Sequence, residues 1–229
     1  MRRPTLFYVP LSPPARAALI TAKEIGLDLE VKIVDMFSGE HRSEKYRKIN
    51  PLAKVPALSD DDVYVWDSHA IAIYLVEKYA TDDILYPKDI LMRTKVNQML
   101  FFEATILFQA LYDTFVPIYQ QKRKEPTQEN INSVHNAYQL LEGFFHDDQK
   151  YFCGNHMTLA DISIWCTLLS LRFLIPIDEH KYPKIEKWLR LMKTRPTYEL
   201  NQNGANQHYG FLKACMDGRA FVPAPRTAN

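Results

Sequence analysis

Three polar residues at the predicted start of a helix, Asp67, Ser68 and His69, form a segment suited to binding a charged group. The unpaired N–H groups and the positive dipole end of a helix N-terminus attract an anion, and the serine hydroxyl adds a further donor. Shortly before them, Pro56 interrupts a strand-like run, which implies an edge, a bulge or a cis bond and leaves the backbone of Val55 available to an outside partner. An extended peptide could pair there. Together the two features suit a small peptide that carries a carboxylate.

The elements that must position these residues follow one another in a defined order. The predicted strands are 5–9, 29–34, 55–58 and 63–66, and the predicted helices are 15–25, 43–49 and 68–79. The first two strands flank a helix and should run parallel, whereas the acidic triplet at 60–62 should turn the last two into a hairpin. The order βαβαββα within residues 1–80 predicts a thioredoxin-like domain.

The rest of the chain is predicted to be helical. Residues 81–90 combine acidic and turn residues and should link two domains. Helical periodicity covers 91–119, the segment after Thr127, 162–174 and 182–193, and a weak last helix at 207–216 precedes a loosely held tail. The segment 162–174 is apolar nearly all round, so it should be the buried centre of this domain. The predicted fold class is α+β, with an all-α helical bundle at 91–229.

The charge and cysteine content excludes several classes of partner. The chain has 229 residues, with 28 basic and 27 acidic side chains and a net charge of +1, which gives no support to nucleic-acid or anionic-membrane binding. We expect neither a signal peptide nor a membrane span. Cys153, Cys166 and Cys215 show no disulfide or metal-binding pattern, which favours the reducing cytoplasm and no metal.

The loop between the first strand and the first helix holds Ser12, followed by Pro13 and Pro14. Thioredoxin-like redox proteins place a reactive cysteine pair at this helix N-terminus, where a thiolate is stabilised. Because this loop has no cysteine, the sulfur should come from a ligand, and glutathione is the obvious candidate. Tyr8 is a rival hydroxyl, although packing explains it better.

Six motifs in order give the chain a specific resemblance. They are LSPPARA at 11–17, GEH at 39–41, NPLAKVPAL at 50–58, WDSHAIAIYLVEKYA at 66–80, LYPKD at 85–89 and MTLADIS at 157–163. Together they resemble a cytosolic glutathione transferase of the insect epsilon class over nearly the whole chain. Any one of the motifs alone would be weak evidence.

The resemblance implies a role for each matching residue of the glutathione site. Ser12 would donate its hydroxyl to the sulfur, and Val55 would pair its backbone with the cysteinyl unit beside a cis Pro56. Asp67 and Ser68 would hold the γ-glutamyl end. The remaining candidate contacts are His41 toward the glycine carboxylate, Lys54 and His69, of which His69 could instead be a structural hydrogen-bonder. Similar proteins have a histidine where this chain has Ala53, so Lys54 or His41 would have to replace one polar contact.

Large apolar residues predict a wall for a lipophilic second substrate. The candidates are Leu11, Pro14, Met36, Phe37, Phe108, Leu111, Tyr112, Phe115, Tyr119 and Phe211. Core packing is the alternative for most of them taken singly. Asp113 could bind a hydroxylated ligand, as in the noppera-bo relatives that act in insect steroid hormone synthesis, or it could be a solvated helix charge.

The sequence therefore predicts a homodimeric glutathione transferase that conjugates glutathione to lipophilic electrophiles in detoxification. Two alternatives stay open. One is a dedicated ecdysteroid-pathway transferase that binds a steroid, and the other is a carrier that binds hydrophobic compounds without turnover.

Overall fold

The fold is taken from a computed structural model, which describes residues 3–146 and 148–219. The first half contains β1 (Thr5–Tyr8), α1 (Pro13–Glu24), β2 (Glu30–Ile33), a 3₁₀ turn (Glu40–Arg42), α2 (Glu44–Arg47), β3 (Ala57–Asp60), β4 (Val63–Trp66) and α3 (Ser68–Tyr79). Within the described residues the four strands form one sheet in the order β2-β1-β3-β4. β1 is parallel to β2 and antiparallel to β3, and β3 is antiparallel to β4. This confirms the thioredoxin-like prediction.

Alternation along β1 divides its side chains between two separate apolar clusters. Leu6 and Tyr8 pack with Ile71 and Leu75 of α3, whereas Phe7 packs in a second cluster that also contains Val9, Tyr46 and Ala57. Successive residues of a strand point to opposite faces, so Tyr8 lies on the face away from the second cluster. Both faces of the central strand are therefore covered.

The hairpin forms as predicted, but the placement of Asp60 in its turn is wrong. Asp60 ends β3 and is 1% exposed, so Asp61 and Asp62 alone make the turn. Its Oδ2 accepts hydrogen bonds from the hydroxyls of Tyr74 at 2.7 Å and Tyr79 at 2.6 Å, and from Nζ of Lys78 at 2.7 Å. Three donors on α3 therefore bond one oxygen of the buried carboxylate, while Oδ1 has no partner among the described residues. The pKa of Asp60 is lowered because these hydrogen bonds outweigh burial.

The second half is helical over the described residues. It contains α4 (Ile90–Phe102), a π-turn (Glu103–Leu107), α5 (Phe108–Tyr119), α6 (Gln128–Phe144), α7 (Leu159–Leu171), α8 (Pro183–Met192) and α9 (Tyr198–Met216). Thr127 caps α6 as predicted, and every residue of α7 is buried, which confirms it as the centre of the bundle. The predicted tail beyond residue 219 lies outside the described residues.

The run Ile90–Tyr119 is long and apolar enough to cross a membrane by length and composition, so the expectation that no segment approaches a span was too strong. The π-turn divides the run, and buried residues such as Val96, Leu107 and Phe115 belong to the main core cluster. A core helix of a globular fold passes the same test, so the run is weak evidence for a membrane.

Helix α9 begins at Tyr198, nine residues before the predicted start at 207. The missed first half is rich in Asn and Gln and lacks an apolar stripe, which is why its periodicity was not visible. Asn201 is nevertheless fully buried, because its Oδ1 accepts from Nε of Arg16 at 2.8 Å. This polar contact adds to the packing of Tyr198, Leu200 and Ala205 against the main core cluster.

Arg16 of α1 is fully buried at the junction of the two halves. Its Nη1 donates to the carbonyls of Pro10 at 3.2 Å and Leu11 at 3.1 Å, and its Nη2 donates to the Cys166 carbonyl at 2.9 Å and the Ser170 hydroxyl at 2.8 Å on α7. With Asn201, one guanidinium joins the β1–α1 loop to α7 and α9.

Gly204 permits the close approach of α9 to this junction. A Cβ at Gly204 would lie 2.3 Å from Cδ of Arg16 and 2.6 Å from the carbonyl oxygen of Pro10. Backbone oxygen cannot move aside cheaply, so Gly204→Ala should lower the free energy of unfolding by about 1–3 kcal/mol through overpacking. Urea denaturation measures the change.

Gly210 on the same helix is the matched control. Nothing lies within 4 Å of a Cβ added there, so Gly210→Ala should stabilise the chain by about 0.5–1 kcal/mol through helix propensity. Equal shifts for both variants would show that the contact at Gly204 is not tight.

Candidate active site

A cavity of about 1010 Å³ lies between the β1–α1 loop, the segment before α2, and helices α5 and α9. The predicted glutathione-site residues that line it are Ser12, His41, Lys54 and Val55. The predicted acceptor residues that line it are Leu11, Pro14, Met36, Phe37, Phe108, Leu111, Tyr112, Tyr119 and Phe211. Pro56, Asp67, Ser68, His69 and Phe115 are not among its lining residues.

Ser12 is the N-cap of α1, with Oγ accepting from the Ala15 N–H at 3.3 Å. Pro13 and Pro14 have no N–H, and the Arg16 N–H is bonded to the Ser12 carbonyl at 3.0 Å. Every backbone N–H of the first helical turn is therefore absent or bonded within the chain. The Ser12 hydroxyl proton is the directed donor that this helix end can offer to the cavity.

Tyr8, the rival hydroxyl, is buried on the opposite face of β1 and is not a lining residue. Burial raises the pKa of Tyr8 to about 12, although the charge of Arg16 opposes the shift. The packing interpretation of Tyr8 therefore agrees with its position.

Val55 and Lys54 form the segment that precedes β3. The Lys54 carbonyl accepts from the Tyr46 hydroxyl at 2.9 Å and from Nδ2 of Asn50 at 2.8 Å, which fixes the backbone, and the Val55–Pro56 bond is cis. Within the described residues, no hydrogen bond uses the N–H or the carbonyl of Val55. An extended ligand could therefore pair with this residue.

The 3₁₀ turn brings a basic group into the cavity. The imidazole of His41 accepts through Nε2 from Nε of Arg42 at 3.1 Å, so its own proton is on Nδ1, which is buried with no partner in the described chain. Burial, assisted by Arg42 and Arg47, lowers the pKa of His41. Arg42 and Arg47 also line the cavity, and the sequence analysis missed both. The dense basic run at 41–47 was the available signal.

The N-terminus of α3 has fewer unpaired N–H groups than the sequence predicted. Asp67 has φ of 75°, and its Oδ1 caps the N–H groups of His69 at 2.9 Å and Ala70 at 3.1 Å. What this helix start leaves for a ligand is the exposed Asp67 carboxylate beside the N–H and hydroxyl of Ser68. These groups suit a zwitterion with one ammonium and one carboxylate.

The imidazole of His69 faces the second half of the chain. Its Nε2 lies 2.9 Å from Oε2 of Glu103 in the π-turn, and Oε1 of Glu103 accepts from the Thr167 hydroxyl at 2.5 Å. Burial lowers the pKa of His69, but the hydrogen bond and charge of Glu103 outweigh it, so the net shift is upward. This geometry matches the structural alternative, and a glutathione contact by His69 stays a prediction.

The acceptor wall joins the two halves through aromatic contacts. Phe37, in the segment after β2, meets Phe211 of α9 edge-on at 5.4 Å between ring centroids, and Phe211 lies 5.2 Å from Tyr119. Phe115 is 1% exposed and packs behind the wall. His208 lines the cavity beside Tyr119, and no sequence pattern had singled it out.

Asp113, the candidate contact for a hydroxylated ligand, is exposed and does not line the cavity. Its Oδ1 accepts from Nε2 of Gln109 at 2.8 Å one turn earlier on α5. The solvated helix charge is the interpretation that this position supports.

The described residues contain no cluster of three His, Cys, Asp or Glu side chains that could hold a metal ion. All three cysteines are free and buried.

A thioredoxin-like domain with serine at its first helix N-terminus, completed by a helical domain, defines a glutathione-dependent transferase. Family models described as the N-terminal and C-terminal domains of glutathione S-transferase match residues 11–78 and 93–196. The chain belongs to the glutathione S-transferase family, which confirms the predicted fold class and enzyme class.

Insect proteins are among its relatives. The chain is 38% identical to "Glutathione S-transferase 1" of Manduca sexta, over 85% of this chain and 90% of that protein. An epsilon-class glutathione S-transferase from the housefly, Musca domestica, has 40% identity and a TM-score of 0.88, covering 96% of this chain and all of that one. A glutathione transferase homologue from Drosophila mojavensis, solved with bound glutathione, has 37% identity and a TM-score of 0.87, covering 96% and 99%. The noppera-bo resemblance stays a prediction.

The pair of His69 and Glu103 should make stability depend on pH. Because the folded-state pKa of His69 is raised, its contribution is complete below about pH 6.5 and is lost as the pH rises through the folded value. The difference in free energy of unfolding between the wild type and His69→Gln should therefore shrink as the pH rises from about 6.5 into the alkaline range. A difference that is constant across this range would contradict the assignment.

Proposed function

We propose that the chain conjugates glutathione to lipophilic electrophiles, with the hydroxyl of Ser12 holding the sulfur as a thiolate. The observation that carries this is the state of the α1 N-terminus, where the backbone N–H groups are absent or used and the Ser12 proton is left for a ligand in the cavity. The reaction then consists of thiolate stabilisation and positioning, followed by direct attack on the electrophile.

The required stabilisation is modest. A free thiol with a pKa of about 8.5 is only ~3% thiolate at pH 7, and lowering the pKa by about two units requires ~2.7 kcal/mol. One hydroxyl hydrogen bond to the charged sulfur supplies about 1.5–3 kcal/mol, and the helix dipole adds about 0.3–1 kcal/mol. The uncompensated charge of Arg16 beneath the loop acts in the same direction.

The rest of the tripeptide would extend along both sides of the sulfur. The free backbone groups of Val55, next to Pro56, suit the cysteinyl unit, and the ammonium and carboxylate of the γ-glutamyl end suit Asp67 and Ser68. The Nδ1–H of His41 suits the glycine carboxylate. Arg42, Arg47 and Lys54 would add positive charge at that end.

The apolar wall would hold the electrophile beside the sulfur. Leu111, Tyr112 and Phe108 on α5 face the aromatic residues of α9 and of the segment after β2 across the cavity. The exposed position of Asp113 gives no support to the steroid alternative. A carrier would bind glutathione and aryl ligands without turnover, so a conjugation assay with an aryl chloride, run beside glutathione titration, separates the two functions.

We further propose the division predicted above, with domains at 1–80 and 91–229 joined by 81–90, and a soluble, cytoplasmic homodimer. Support for a dimer comes from exposed apolar residues on the edge strand β4, including Tyr64 at 50% exposed, and on α4, including Phe101 at 68%. An ion pair of 2.8 Å between Arg93 and Glu77 joins α4 to α3, the helix that follows β4.

Ser12→Ala should raise the pKa of bound glutathione by about one unit, because a hydrogen bond to the thiolate is lost. Thiolate absorbance as a function of pH in the glutathione complex measures it. Tyr8→Phe is the matched control, since that hydroxyl lies on the other face of β1 and its removal should leave the titration unchanged. An unchanged titration for Ser12→Ala would remove Ser12 from the mechanism.

The double variant Tyr64→Glu with Phe101→Glu should be monomeric, because a buried unpaired charge is costly at an interface. Light scattering should give the wild type about twice the chain mass of 26.7 kDa, and the double variant that mass itself. Ile33→Glu, on the opposite edge strand β2, should stay dimeric. Dissociation by Ile33→Glu instead would place the interface on the other edge.

A further inference from the structure

The apolar wall of the cavity contains one polar pair. Tyr119 at the end of α5 and His208 of α9 both line the cavity, and the Tyr119 hydroxyl is hydrogen-bonded to Nε2 of His208. Their surroundings are aromatic, with Phe115 at 5.1 Å from the His208 ring centroid and Phe211 at 5.2 Å from that of Tyr119. Nothing in the glutathione site needs these two groups.

The second ring nitrogen of His208 has no partner. His208 is 5% exposed, and its Nδ1 is buried without a hydrogen bond to any described residue. An unsatisfied buried polar group costs roughly 1–3 kcal/mol, so such an atom calls for an explanation. A ligand that completes the hydrogen bonding would remove this cost.

Both side chains of the pair are uncharged near neutral pH. Burial, with the nearby charge of Arg16, lowers the pKa of His208 to about 3. Burial also raises the pKa of Tyr119 well above its usual value, so the phenol keeps its proton.

Counting protons in the neutral pair gives one donor for a ligand. If the Tyr119 hydroxyl donates to Nε2, the imidazole proton is on Nδ1 and is the one left over. If Nε2–H donates to the Tyr119 oxygen, the phenolic O–H is left over instead. In either arrangement a single uncharged N–H or O–H remains for a hydrogen-bond acceptor.

The pair lies near the reacting end of the cavity. His208 is one helical turn beyond Gly204, and Gly204 lies against the carbonyl oxygen of Pro10 in the β1–α1 loop. Ser12 is two residues after Pro10 in the same loop. Helix α9 is therefore packed against the loop that carries Ser12, and the pair lines the same cavity as Ser12.

We propose that Tyr119 and His208 form a hydrogen-bonding subsite for the acceptor, and that the cavity favours electrophiles whose reactive carbon is conjugated to a carbonyl oxygen, such as enals, enones and quinones. The inference rests on the proposed function, because it names the substrate class of the same site. A neutral donor in an apolar wall suits a carbonyl oxygen, whereas benzyl chloride, which reacts by direct displacement of chloride, gives it no oxygen or nitrogen acceptor.

The addition step explains why this donor would affect the rate. The thiolate sulfur bonds to the β-carbon, the C=C electron pair shifts toward the carbonyl, and negative charge grows on its oxygen. The α-carbon then takes a proton from water, which balances the proton that glutathione lost on ionisation. A donor aimed at that oxygen binds the transition state more strongly than the ground state, which is the condition for catalysis.

The test compares two substrates within each variant. The kcat/KM for an enone and for benzyl chloride is measured in the wild type, Tyr119→Phe, His208→Phe and the double variant. Each single variant keeps one possible donor, so the double variant should show the full effect, a fall of about tenfold in the enone to benzyl chloride ratio. Phe211→Leu, which alters the same wall without changing a polar group, should lower both activities together.

The outcomes separate the subsite from the proposed function. A wild type that turns over neither electrophile overturns both proposals. If benzyl chloride is turned over and the ratio of the double variant stays within about threefold of the wild-type ratio, the subsite alone is overturned.

A second measurement uses only the wild type, so its result does not depend on whether the variants fold. An unreactive ketone and the hydrocarbon with CH₂ in place of its carbonyl are compared as inhibitors of benzyl chloride conjugation. The subsite predicts that the ketone inhibits at least as strongly, although the hydrocarbon is the more hydrophobic. Tenfold stronger inhibition by the hydrocarbon would overturn the subsite.

Discussion

The buried guanidinium of Arg16 is the interaction on which the site depends. All of its five hydrogen bonds go to neutral oxygens, two on the loop before Ser12, two on α7 and one on Asn201 of α9. A buried cation without a carboxylate partner is tolerated only when hydrogen bonds saturate it, so removing any acceptor would be costly. Through Arg16, the helical half of the chain therefore fixes the position of the loop that carries Ser12.

This arrangement also determines the electrostatics of the cavity. Pro13 and Pro14 leave the first helix without free N–H groups, so the sulfur would meet one hydroxyl instead of a cluster of amides. The charge of Arg16 contributes to the lowered pKa of His208. It also favours ionisation of Tyr8, although burial has the larger effect on the pKa of that phenol. The same cation that fixes the loop therefore favours a nearby anion, and it adds to burial, which is the main reason that the imidazole of His208 stays neutral.

Sequence patterns predicted the parts of the structure that depend on local chemistry. The order of strands and helices along residues 1–80, the Thr127 cap and the buried α7 follow from periodicity and from capping residues near in sequence. The burial of Asp60 and of Arg16 was not predictable in this way, because the side chains that bond them lie 14 to 185 residues away. A charged residue in a helix or turn predicts exposure until the fold supplies the donors or acceptors that satisfy it.

Apolar periodicity also failed to predict the first half of helix α9, but the spacing of its polar residues could have indicated it. Asn201, Gly204 and His208 are spaced by three and four residues, so they share one face, as apolar residues would in a core helix. Each does a different task on that face: one accepts from Arg16, one permits backbone contact with the loop, and one reaches the cavity. A polar stripe with helical spacing and a glycine at its centre therefore indicates docking against a polar junction. An apolar-periodicity criterion cannot detect it, which is why the start of the helix and the cavity residue His208 were missed, whereas Phe211 was predicted.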